Sequence, residues 1–213
     1  MPQTVQGVNR NTGVPAVFQA DDQGSQFANL GAAPFEEVTR QGQLWTVQTA
    51  TLFAPIATWP TTTSRLEGFN NRPGGWVMVV VDVFAMQVLS TAIVQTYGTA
   101  AMVSTSKAAP TNTALLVASC SGKAAFTTTA SSDLITAVDT TVVANGWRPY
   151  GPGQGAWGLA AATPGNCWSA EVHGKIEVPQ NASICVAPMG SLATASSFQC
   201  GFTFYWRKLS INP

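Results

Sequence analysis

The sequence predicts an all-β fold, an antiparallel β-sandwich of the jelly-roll type, on three observations. Apolar runs rich in valine, threonine and aromatic residues recur along the chain, some alternating with polar residues and some continuous. Turn signals drawn from 19 glycines and 13 prolines separate them at fairly regular spacing. No segment shows the period of a long amphipathic helix. About eight or nine strands of ordinary length can be counted, a pattern that belongs to sandwiches and barrels. Two sheets in Greek-key order, the jelly roll, fit it best. An immunoglobulin-like sandwich is the alternative, although the Cys, Trp, Cys arrangement of that fold is not evident.

Residues 1–40 are rich in Gln, Asn and Gly and read as an extended N-terminal arm and loops, with room for a short strand from Val14 to Gln19. Residues 41–213 read as a single β-sandwich domain. Its first clear strand runs from Leu44 to Phe53, with Trp45, Val47, Thr49, Thr51 and Phe53 on one face, and Pro55, Trp59 and Pro60 break it. Arg65 to Phe69 is a weaker strand. The turn Asn70-Asn71-Arg72-Pro73-Gly74-Gly75 then leads into the stretch around which the chain is organised.

That stretch begins at Gly75. From Trp76 to Val88 both the even and the odd positions are apolar, so the strand must be covered on both sides, as in the middle of a sandwich or where one face meets another subunit. A membrane helix is disfavoured, because Asp82, Gln87 and Ser90-Thr91 interrupt a run that would need about 20 apolar residues, and its valines suit a pleated strand. Thr91 to Tyr97 continues the strand or starts another. Ala101 to Thr105 and Ala114 to Ser119 are further strands, separated by a Pro110-Thr111-Asn112 turn. The Thr-rich segment 124–145 favours strand, Asn145-Gly146 is a turn, and Trp147 to Gly155 reads as a loop with two aromatics at its base.

The C-terminal part is clearest. Trp168, Ala170, Val172, Ile176 and Val178 share a parity opposite Ser169, Glu171, His173, Lys175 and Glu177, which describes a half-exposed strand. Pro179 to Ala182 turns the chain into Ser183 to Ala187. Phe198, Cys200, Phe202, Phe204 and Trp206 line one face of the last strand, and their burial contributes several kcal/mol at roughly 25 cal/mol per Å².

Composition narrows function. Charged residues make up 9% of the chain, against about a quarter in a typical soluble domain. Ten Lys and Arg balance ten Asp and Glu, so little electrostatic repulsion opposes self-association. The cations are scattered, and direct nucleic-acid binding is not expected. The start, Met1 to Gln6, lacks a basic n-region and an apolar h-region, so no signal peptide is expected, and no membrane span. Cys120, Cys167, Cys185 and Cys200 lack Cys-x-x-Cys spacing; free thiols, with Cys200 in a core face, are favoured over two disulfides.

No catalytic or metal-binding constellation stands out, and no cofactor is expected. The single histidine, His173, reads as a solvated residue on a charged strand face. No phosphate-binding glycine loop or nucleophile elbow occurs. The two carboxylates a glycosidase needs could come only from exposed positions such as Glu36-Glu37 or Glu171 and Glu177. The candidate ligand-stacking residues are Trp147, Tyr150 and Trp157, around a Trp-Arg-Pro-Tyr segment that would serve a lectin-like carbohydrate- or receptor-binding module.

Leu44-Trp45-Thr46-Val47, Gly74-Gly75 leading into Val79 to Ala85, Ala108 to Leu115 and Gly190 to Phe198 together resemble structural proteins of phages and environmental viruses. The resemblance covers residues 40–210 in texture and carries no diagnostic motif or site residue. It implies a virion subunit, assembled in the host cytoplasm, that self-associates through sheet faces as a capsid, decoration or filament protein, with other virion proteins as further partners. The missing basic arm departs from coat proteins that package genomes electrostatically.

Overall fold

The computed structural model describes residues 4–8, 15–19, 35, 38–39, 42–90, 96–105, 108–111, 116–120, 133–143, 146–155, 167–190 and 196–208. The chain forms two compact units, Met1–Glu37 and Val38–Pro213. In the first, β1 (Thr4–Val8) and β2 (Pro15–Gln19) pair antiparallel, with Gln6 opposite Val17.

The second unit is all-β, and helix among the described residues is confined to Val38 and Thr39. Its strands are β3 (Leu44–Gln48), β4 (Thr63–Asn70), β5 (Trp76–Ser90), β6 (Thr96–Ser104), β7 (Leu116–Ser119), β8 (Leu134–Thr141), β9 (Arg148–Gly155), β10 (Cys167–Val178), β11 (Ser183–Gly190) and β12 (Ser196–Lys208). They form two antiparallel five-stranded sheets packed as a β-sandwich, in the orders β10-β5-β12-β3-β7 and β8-β4-β11-β6-β9. One buried cluster joins them: Val47, Val80, Phe202 and Phe204 come from the first sheet, and Leu66, Leu134, Ile184 and Val186 from the second. The last strand lies in this core as its aromatic face requires, since Phe198, Cys200, Phe202 and Phe204 are fully buried.

The doubly apolar β5 lies between β10 and β12. Opposite it, β12 passes from Thr203 facing Asp82 to Phe204 facing Val80, so Val81 is an extra residue in the ladder. Such a bulge reverses parity. Met78 and Val80 enter the core before it, and Val83 and Ala85 after it. Part of the apparent two-sided greasiness is therefore one core face read across a bulge. The residues on the other side, Val77, Val79 and Val81, are also buried. β10 slips by several residues between Glu171 and Ile176, and Gly174, at φ 75°, packs against Val79. This outer patch is covered by the chain itself.

The second sheet is covered on its outer side as well. Ala100, Met102, Cys185 and Ala187 form a separate buried cluster with Val142 and Trp147, and Ile56 packs against it. The chain reaches this place by a strap. After β3, Phe53 bridges to Phe198 on one sheet and Ile56 bridges to Met189 on the other. This explains why β11 is buried along almost its whole length.

The segment from Trp147 to Gly155 is a strand from Arg148 onward and not a loop. β9 pairs with β6 at the edge of its sheet, with Pro149 opposite Ala100 and a register shift between Tyr97 and Thr99. Proline lacks an N–H to donate, and an edge strand has one side on which none is needed. The expected strand from Leu44 to Phe53 is regular only to Gln48, although Thr49 still donates its N–H to the Cys200 carbonyl at 3.0 Å.

Candidate functional site

The three candidate stacking residues do not form one surface. Trp147 is buried in the outer cluster of the second sheet, and its indole N–H donates to the Thr61 carbonyl at 2.8 Å. Tyr150, three residues on, packs against the main core on the other side of that sheet. Alternation along the strand separates them. Trp157 lies outside the described residues. Tyr150 lines a cavity of about 220 Å³ with Arg148, Lys175 and Glu177, whose carboxylate pairs with Arg207 at 2.5 Å.

A different aromatic group lies at one end of the sandwich. β5, β12 and β3 are neighbours in the first sheet and contribute Trp76, Trp206 and Trp45, each half-buried. Trp45 is held opposite Phe204, and Trp206 opposite Met78, by strand register. The Trp206 ring meets Phe204 edge-on, with centroids 5.4 Å apart and planes at 85°, a favourable quadrupole geometry. These indoles line a cavity of about 250 Å³ together with Arg72, Asp133 and Gln43.

The polar side of the cavity is as well fixed. The Arg72 guanidinium lies 3.9 Å from the Trp76 ring centroid and 5.3 Å from that of Trp206. A cation over an indole face is attracted by the ring quadrupole. Arg72 Nε also lies 3.4 Å from Asp133 Oδ2, with the two side chains 27% and 33% exposed. Behind them, the fully buried Asn70 donates from Nδ2 to the carbonyls of Trp76 at 3.0 Å and Val178 at 2.9 Å, and its Oδ1 accepts the Arg72 N–H at 3.0 Å. The Asn71 N–H donates to the Asp133 carbonyl at 2.9 Å. Sequence reading missed this group because its indoles come from three strands distant in the chain. The one local signal was the Arg72 turn running into Trp76.

A polar row crosses the outer face of the first sheet. Asp82 on β5 lies between its register partners Glu171 on β10 and Thr203 on β12. Burial raises the Asp82 carboxyl above its ordinary value; hydrogen bonds from Thr203 oppose this and Glu171 adds to it. Thr203 Oγ1 lies 3.4 Å from Thr46 Oγ1, which in turn lies 3.1 Å from Cys120 Sγ. All four cysteines are free, Cys120 and Cys167 exposed, Cys185 and Cys200 buried.

Among the described residues no group of three or more His, Cys, Asp or Glu side chains is placed to hold a metal ion. No helix among them is long and apolar enough to cross a membrane. No protein family, curated protein or solved structure matches this chain.

Proposed function

We propose that this chain is a self-assembling virion structural protein, a capsid, decoration or filament subunit, built on a jelly roll and acting through contacts between copies. The observation that carries the reading is the strand order. With β7 and β8 set aside, the sheets read β3-β12-β5-β10 and β4-β11-β6-β9. Successive strands alternate between the sheets except at the centre, where β6 and β9 share one, and the chain is nested: β3 pairs with β12, β4 with β11, β5 with β10, and β6 with β9. A long antiparallel ribbon rolled into two sheets has this order, and jelly rolls of that kind serve in viral capsids. β7 and β8 extend the sheets beside β3 and β4, widening both at the same edge of the roll.

The surface supports association. With 9% charged residues and balanced signs, copies meet little repulsion. Leu52, Trp59 and Val143 are exposed at 45%, 48% and 55%, offering apolar contacts outside the folded core. The covered β5 patch is not part of that support, because its own chain already buries it. Mass by light scattering on the intact chain, followed by negative-stain microscopy of the same fraction, tests the reading. Rings, shells or filaments are expected; monomers persisting at high concentration overturn it.

A further inference from the structure

We propose that the cavity between Trp45, Trp76 and Trp206 is a binding site for a neutral saccharide, a role separate from assembly. The lining selects this chemistry by elimination. Three half-buried indoles present apolar ring surface to the space, and Arg72 with Asp133 presents an ion pair to it. A wholly apolar ligand would strip water from the guanidinium and the carboxylate and give nothing back. An anion would meet Asp133 and a cation would meet Arg72, since the pair is neutral as a whole.

A sugar ring satisfies both sides. Its C–H face packs on an indole, and its hydroxyls both donate and accept. The guanidinium has five N–H donors and the carboxylate about four acceptor positions, so their mutual contact leaves capacity for hydroxyls. The volume, about 250 Å³, lies just below the roughly 300–1,000 Å³ of sites for drug-sized ligands and suits one or two sugar rings. The site is also preorganised. Arg72 caps Trp76, Phe204 braces Trp206, and Asn70 fixes the backbone that carries Arg72. Side chains already held in place lose little freedom when a ligand arrives.

The test is an array of neutral and sialylated glycans probed with the full chain, with hits titrated by calorimetry as free saccharides. Neutral glycans should be retained without preference for sialylated ones. Asp133→Ala and Trp45→Ala should each weaken the titrated hit by about tenfold or more, the loss expected when a hydrogen bond to a charged group or a stacking face is removed. Tyr150→Ala, at the other cavity, should leave it unchanged. Should Trp45→Ala fail to fold, Asp133→Ala decides, its fold checked by thermal melting. Retention of no glycan, retention of sialylated glycans alone, or a hit unaffected by Asp133→Ala overturns the site. Light scattering reads assembly separately, so an assembled chain that binds no saccharide overturns only this proposal.

Discussion

Phe202 occupies the space that Gly68 leaves empty. Gly68 is on β4 and Phe202 on β12, in opposite sheets, and a Cβ added to Gly68 would lie 2.5 Å from Phe202 Cζ and 3.2 Å from Ile184 Cγ2. Phe202 is fully buried among other core rings and has nowhere to retreat. Gly68→Ala should therefore destabilise the domain by about 1–3 kcal/mol, the usual cost of overpacking. Urea denaturation measures this, and an unchanged midpoint would show that the sheets can separate locally without loss.

Asn70 ties the end of β4 to the start of β5 and the end of β10 by side-chain bonds to Arg72, Trp76 and Val178. Asn70→Ala leaves two carbonyls and an N–H without these partners. Removing partners from buried polar groups costs about 1–3 kcal/mol each, so a loss of at least about 2 kcal/mol is expected. Asn70→Asp should be worse at neutral pH, because it turns a donor toward two carbonyls into an acceptor. Thermal melts of the two variants check both the size and the order.

The thiols should divide into two classes. Burial pushes the Cys185 and Cys200 thiols far up, with Glu67 adding to the effect at Cys185. The thiolate is the reactive form, so both should resist a disulfide reagent such as Ellman's in the folded chain. Cys120 and Cys167 are exposed and should react. Two equivalents before unfolding and four after is the expected titration; early reaction of four would contradict the burial.

Asp82 should make the fold less stable as pH rises. Its carboxyl is raised in the folded state, chiefly by burial, and one of its oxygens, Oδ1, is buried without a hydrogen-bond partner. The folded chain then holds a proton that the unfolded chain releases near its ordinary value of 3.8. Stability from this group is full below that value and is lost as pH rises through the folded one. Asp82→Asn should accordingly be more stable than the parent at neutral pH, with the difference shrinking toward about pH 4, where the unfolded carboxyl protonates. Denaturation midpoints of both chains across this range give the answer. A constant difference would assign the effect to shape and not to charge.

The strands β10 and β12 were legible because the core face is apolar and the other largely polar, so alternation is written directly into Ala170, Val172, Ile176 and Val178 and into the aromatic row of β12. β9 was not. Pro149, Gly151, Pro152 and Gly153 are turn chemistry by local rules, and only an edge position next to β6 makes a strand of them. β5 was legible as a strand but not in orientation. The bulge at Val81 is set by the register of its partner β12, which residue pattern alone does not report.

The same division holds for the site. Sequence by itself determined an all-β, charge-poor chain with a heavily aromatic last strand, because strand propensity, turn chemistry and parity are local properties. The pairing of early strands with late ones was decided by the tertiary structure, as were the closure of both sheets around Phe202 and the meeting of Trp45, Trp76 and Trp206 beside Arg72 and Asp133. Those relationships join residues far apart in the chain. They exist only once burial of the shared core has offset the entropy of bringing them together.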